Sequence, residues 1–219
     1  MKIEDIKSGS ELKDKILFTS IELFSSIGIK SVSTDMIALE CGISKKTLYE
    51  VFKSKEELIE AIINWSLKQM DEFWVETIKK IENDPNTDFT EVIHQLMQRV
   101  NILISIITKP FLIDLKRFYP ALWSYIREFR TRKMAMYFDR LFEFGQKTGY
   151  VRKDVDAKLS FYIHYFVLDN ILTPEVISDL SMNTNEILDN IFKILFTGIL
   201  TEKGKENSKM CHKLQQTEK

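Results

Sequence analysis

The sequence predicts an all-α protein: a small N-terminal group of three helices, joined by one long helix to a larger helical domain. Three observations carry that prediction. The 219 residues include only 7 Gly and 4 Pro, and long stretches contain neither. Apolar residues recur at i, i+3 and i+4 along most of the chain, the period of a helix with one buried face. No segment shows the strict apolar–polar alternation of a half-buried strand.

Residues 1–10 are polar, mixed in charge and end in Ser8-Gly9-Ser10, which reads as a flexible arm. From Glu11 a helix carries Ile16, Ser20, Leu23, Phe24 and Ile27 on one stripe and stops at Gly28. A short link turns Val32 inward. Thr34 is the expected cap of the second helix, since its hydroxyl can accept from a free first-turn N–H. Ile37, Ala38 and Cys41 then repeat at helical spacing, and Gly42 stands where the chain must leave the helix. Ser44 caps a third helix with Leu48, Val51 and Phe52 on one face. Two short helices joined by a tight Gly-containing turn make a helix-turn-helix. Its second helix presents Lys45, Lys46, Thr47 and Tyr49 near the N-terminal end, the end that reaches base edges in such motifs.

Ser54 and Glu57 form a capping box for the next helix. Leu58, Ile59, Ile62, Trp65, Met70, Phe73, Trp74, Ile78 and Ile81 keep one apolar face as far as Asn83-Asp84-Pro85. That helix is about 40 Å long at ~1.5 Å per residue. The domain boundary is expected at its start, giving a first domain 1–54, a second domain 55–202 and a polar, disordered tail 203–219. Further helices are expected over 88–108, 111–118, 121–148 and 154–172, a loose turn over 174–181, and a last helix from Thr184 to about Thr201.

Residues 161–168 (F-Y-I-H-Y-F-V-L) are apolar or aromatic almost all round, as in a helix buried on more than one side. The last helix is similar, and Gly198 would permit a close crossing. The expected account is a homodimer whose interface includes Phe161, Tyr165, Leu168, Ile187, Ile191, Leu195 and Gly198. A deeply buried helix pair in a monomer is the plainer alternative. The aromatic residues of the second domain, most of them core, suit as a set a cavity with apolar walls and a few polar groups, the character of small-molecule sites. The candidate effector contacts are Phe73, Met97, Asn101, Phe111, Phe118, Trp123, Tyr137, Tyr162, His164 and Phe166.

Composition sets limits on function. The formal net charge is −1, so no global basic field draws the chain to nucleic acid. Any positive charge must be local, and Lys45, Lys46, Lys53 and Lys55 against Glu50 leave +3 around the third helix. Cys41 and Cys211 make no disulfide framework, and reduced thiols fit a cytoplasmic protein. No apolar run approaches the ~18 residues of a membrane span, and no signal peptide is recognised. No nucleophile constellation, metal spacing or phosphate loop is present, so neither catalysis, metal nor cofactor is expected.

Between Lys15 and Ile63 the sequence resembles the tetracycline-repressor (TetR) family of transcription regulators. The resemblance is carried by G-I-S-K-K-T-L-Y-E-V-F-K-S-K-E-E-L, preceded by E-L-F-S-S-I-G-I-K-S-V-S-T. It implies an N-terminal DNA-binding domain, a C-terminal effector-binding and dimerisation domain, and pairing of the last two long helices into a four-helix bundle. Thr34, Thr47, Tyr49 and Lys55 match family positions that contact phosphates or orient the reading helix. Lys45 and Lys46 match positions that reach bases, and Ser44 and Lys53 complete the expected surface. The partners so implied are a near-palindromic double-stranded operator and a small, mostly apolar effector, with repression favoured over activation and over a helical protein-interaction module. Two residues depart from the pattern. Glu50 and Val51 stand where the family often has an aromatic residue and a His.

Overall fold

The computed structural model describes residues 11–206 apart from 85, 107, 108, 172 and 183. The expected arm, and the tail from residue 207 with Cys211, lie outside the described residues. The described chain is helical throughout: α1 (Glu11–Ile27), α2 (Thr34–Glu40), α3 (Lys45–Val51), α4 (Lys55–Asn83), α5 (Phe89–Ile106), α6 (Lys109–Phe118), α7 (Pro120–Lys147), α8 (Ala157–Ile171), α9 (Pro174–Asp179) and α10 (Thr184–Ile199). The loose turn expected near Pro174 is the short helix α9, capped by the Thr173 side chain accepting from Val176 N. Residues 202–206, where the expected tail begins at 203, form a helical turn. Among the described residues the only strand-type pairing is an isolated antiparallel bridge, Val151 to Leu200.

Two compact units share these helices. One takes the chain up to Gln69 together with Ile106–Ile126; the other takes Met70–Ser105 and Arg127 onward. The first unit therefore extends past the boundary expected at residue 54. α4 supplies Leu58, Ile59 and Ile62 to the first core, and Trp74 and Ile81 to the second.

In the first unit, α1, α2 and α3 enclose Ile16, Phe24, Ile37, Leu48 and Phe52, each at most 1% exposed. α6 packs on α1 and adds Phe111 and Leu115 to this core. The Asp114 carboxylate on α6 accepts from Lys30 N at 2.7 Å. The turn it holds needs glycine at 28: φ is +86°, and a Cβ there would lie 2.7 Å from that carboxylate.

The second unit has one core of Trp74, Ile81, Phe89, Tyr137, Leu141 and Phe142 and a smaller one of Ile177, Ile187 and Ile191. Trp74 stacks on Tyr137 at 5.4 Å between ring centres. The Tyr137 hydroxyl donates to Asp71 at 2.5 Å, and Lys133 reaches the same carboxylate at 2.9 Å. Burial, followed by that hydrogen bond, holds the Tyr137 phenol well above its usual range. The Asp71 carboxyl lies below the usual carboxylate range, because those two hydrogen bonds together outweigh the larger single cost of burial.

Candidate nucleic-acid interface

The α2–turn–α3 segment is built from local rules. Ser33, one residue earlier than expected, is the cap of α2: its Oγ accepts from Met36 N at 3.2 Å. Thr34 is instead the first helical residue, and its hydroxyl lies 3.3 Å from the Tyr49 hydroxyl. Either hydroxyl can serve as a cap, so the one-residue slip has no chemical signature. α2 ends in a Schellman arrangement, with Ile43 N donating to Ala38 O and Gly42 N to Leu39 O, both at 2.9 Å. Gly42 takes φ +63°. Ser44 caps α3 and accepts from Thr47 N at 3.0 Å.

This frame buries Leu48 and turns Lys45, Lys46, Tyr49 and Glu50 outward, with Ser44 also exposed and Thr47 half-buried. Lys45 pairs with Asp35 on α2 at 2.9 Å, both side chains more than half exposed. That pair raises the Lys45 pKa. An exposed pair of this kind holds weakly and opens readily, so Lys45 stays available to a partner. Lys53 is exposed, with Nζ 3.3 Å from Glu50 O. Val51 is half-buried against the first core, which accounts for an apolar residue at that position. Cys41 is buried, and burial pushes its thiol pKa up, away from reactivity.

Lys55, expected to contact phosphate or to orient the reading helix, is engaged within the chain. Its Nζ donates to Ile29 O at 2.5 Å and to Val32 O, and lies 5.7 Å from the centre of the Phe24 ring. Burial pushes its pKa down. The side chain thus fastens the α1–α2 link from the start of α4. Ser54 does cap that start, accepting from Glu57 N at 3.1 Å, but Glu57 reaches back to Lys53 N.

The candidate effector contacts are divided between the two units. Phe111 and Trp123 pack in the first unit's core, and Phe118 is 40% exposed, 5.0 Å beneath Lys30 Nζ. Phe73, Tyr137 and His164 belong to the second unit, and the side chains of Met97 and Asn101 lie outside what is described. Tyr162 and Phe166 face outward. In the second unit Phe89, Phe138, Leu141, Phe142, Val151, Phe196 and Ile199 line an apolar gap of about 10 Å³, the space of a single water.

His164 is buried beside that gap, between the rings of Phe138 and Phe196, each 5.4 Å away. Its Nδ1 lies 2.7 Å from Ser160 O, and its Nε2 has no partner. Burial pushes its pKa below the usual 6.5. Between the lowered and the usual value the unfolded chain binds more protons than the folded one, so stability rises with pH there and is lost on acidification. The melting temperature is therefore expected to fall as pH drops below about 6.5, the usual histidine value. The fall should be smaller in His164→Leu; equal slopes in both proteins would exclude His164 as the cause.

Of the residues expected at a dimer surface, most are covered within the single chain. Phe161, Tyr165, Ile187 and Ile191 are buried within one chain, and Leu168 and Leu195 pack against the small second-unit core. Gly198 faces open space. The apolar residues left uncovered on α8 are Leu159 (60% exposed), Tyr162, Ile163 and Phe166 (54%), with Ile194 (72%) on α10. On α8 these recur at i, i+3, i+4 and i+7, one continuous stripe. A helix apolar on every side gives no sequence signal of which stripe is left over.

Among the described residues, no group of three metal-ligating side chains is found, and no helix is long and apolar enough to cross a membrane. Comparison with known proteins agrees with the geometry. Residues 16–62 match the family described as bacterial regulatory proteins, tetR family. The chain is 23% identical over 192 residues to the HTH-type transcriptional regulator YvaF of Bacillus subtilis, covering 86% of this chain and 95% of that protein. It is 40% identical over 79 residues to YerO of the same organism, covering 34% of this chain and 25% of YerO. In fold it resembles a TetR-family regulator from Marinobacter aquaeolei, with a TM-score of 0.71 at 20% identity over 93% of this chain and 98% of the other. FadR from Bacillus subtilis, crystallised with stearoyl-CoA, gives 0.58 at 19% identity over 84% and 98%. With a helix-turn-helix capped as described and this family match across it, residues 16–62 form the N-terminal domain of the bacterial regulatory proteins of the tetR family.

Proposed function

We propose that the chain is a cytoplasmic homodimeric repressor that reads a near-palindromic operator with α3 and leaves it when a small, mostly apolar effector binds the second unit. The observation that carries this reading is the outward face of α3, with Lys45, Lys46, Thr47 and Tyr49 on a fully buried base, flanked by Ser44 and Lys53. Lysines donate to guanine O6 and N7, and hydroxyl groups and amides at the caps suit phosphate oxygens. Thr34 and Tyr49, joined through their hydroxyls, hold the reading helix and offer a phosphate contact. Lys55 keeps an indirect part by fastening the link that precedes α2.

The uncovered stripe on α8, with Ile194, supports pairing with a second copy. Two reading heads then meet half-sites about one helical turn, ~34 Å, apart or a multiple of it. FadR with its stearoyl-CoA supports an apolar effector. A ligand displaces the equilibrium only by its differential affinity for the reading and non-reading states. α4, which serves both cores, is the element through which such a difference reaches the reading head.

The experiment is fluorescence anisotropy with DNA from upstream of the protein's own gene against a scrambled duplex. Saturable preference for the upstream DNA is expected, and equal affinity for both would refute operator reading. Lys46→Ala should weaken binding and reduce the slope of log K against log salt by about 0.9, one counterion's worth. An unchanged slope would remove Lys46 from the DNA surface.

A further inference from the structure

Between α7 and α8 an otherwise apolar packing contains a seam of polar groups. Arg127, Arg130 and Thr131 lie at i, i+3 and i+4 on α7, opposite Tyr165 and Asp169 at i and i+4 on α8. The Asp169 side chain is only 8% exposed. One of its oxygens takes Arg127 Nη2 at 2.9 Å, and the other is buried without a partner. Thr131 Oγ1 and Tyr165 Oη are 2.6 Å apart. Arg130, half-buried in the same seam, makes no hydrogen bond or ion pair with any described residue. Burial pushes its pKa down, although the carboxylate of Asp169 opposes that shift.

Two guanidinium groups thus share one carboxylate, of which Arg127 holds a single oxygen, and these three groups together carry a net positive charge. A guanidinium cannot shed that charge by losing its proton. Keeping it part-buried and unpaired is costly, and an anion is the chemical remedy. The surroundings indicate what the anion is attached to. Tyr165 stacks on Phe161, whose ring lies 5.8 Å from Phe138, one wall of the apolar gap. Phe138 is eight residues beyond Arg130 on α7, about 12 Å along the axis. An aromatic row of that length therefore leads from the charge to the gap.

We propose that Arg130 receives the anionic head, carboxylate or phosphate, of an organic acid whose apolar body lies along Tyr165, Phe161 and Phe138. This rests on the second unit being the effector domain, and it names the effector's chemical class. The gap opens to accept the tail by movement of the Phe138 and Phe196 side chains.

The test is calorimetric titration of the full chain with decanoate, decyl phosphate and 1-decanol below their aggregation limits, repeated with Arg130→Gln and Arg130→Lys. At least one anion should bind saturably and about tenfold or more tighter than decanol, the size of a charge-assisted hydrogen bond. Whichever anion binds more tightly identifies the head. Arg130→Gln should erase the preference and Arg130→Lys keep part of it, with thermal melts showing both variants folded. If Arg130→Gln does not fold, Arg130→Lys decides, since exchanging a fork for a point charge must narrow the preference. Equal affinity for the three probes, no saturable binding of either anion, or an undiminished preference in the variants overturns the proposal. Operator affinity without probe is measured in parallel: its absence refutes the repressor reading, whereas intact operator binding without anion preference refutes only the role of Arg130.

Discussion

Aspartate at Ile163 or Ile194 should convert the protein to monomers and lower its affinity for a two-half-site operator about a hundredfold or more. The magnitude follows from linkage of two reading heads: once one half-site is held, the second is met at high effective concentration, and that advantage vanishes in a monomer. The two positions are chosen because their side chains are 45% and 72% exposed in a single chain. Replacing them opens no cavity in the fold, yet a charge in the middle of an apolar contact between copies is left without a partner. Ile191→Asp is a poorer experiment. Ile191 is 7% exposed and packs with Ile177 and Ile187, so its loss damages the chain itself. Light scattering gives the mass, and circular dichroism shows whether the helices survive. A folded variant that remains dimeric at micromolar concentration would take the α8 stripe out of the interface.

What was legible in the sequence was local. Ser44, Gly42 and the apolar positions of α2 and α3 act within a few residues of themselves, so spacing alone located the helix-turn-helix. Whatever depends on distant neighbours was not legible. Asp114 meets Lys30 across 84 residues, and only the packing of α6 on α1 reveals that α6 belongs with the reading head. That same packing draws Phe111 and Trp123 into the first core. α8 is apolar on all sides, so its period could not separate the buried Phe161 and Tyr165 from the outward Tyr162 and Phe166. Nothing in the spacing of Arg127, Arg130 and Asp169 singles them out until α7 and α8 are placed face to face.

Lys55→Met should lower the melting temperature and weaken operator binding while leaving the salt slope of that binding unchanged. A lysine at this position, in a basic segment and at the start of a helix, invites assignment as a phosphate contact. Its ammonium instead donates to Ile29 O and Val32 O, the carbonyls of the link that leads into α2. Methionine keeps most of the apolar stem over Phe24 but strands those carbonyls, at a cost of about 1.5–3 kcal/mol for hydrogen bonds to a charged group. For a chain of this size that is a fall of roughly 3–12 °C at ~2–4 °C per kcal/mol. DNA affinity drops because a loosened link lets α2 and α3 leave their reading position. No phosphate contact is lost, so the number of released counterions stays the same. Lys46→Ala has the opposite signature, a flatter slope with an unchanged melting temperature, since its side chain is exposed. Measuring both variants over the same salt range separates a fastener from a contact. A Lys55→Met protein that melts like the parent and loses close to one unit of slope would put the ammonium on the DNA after all.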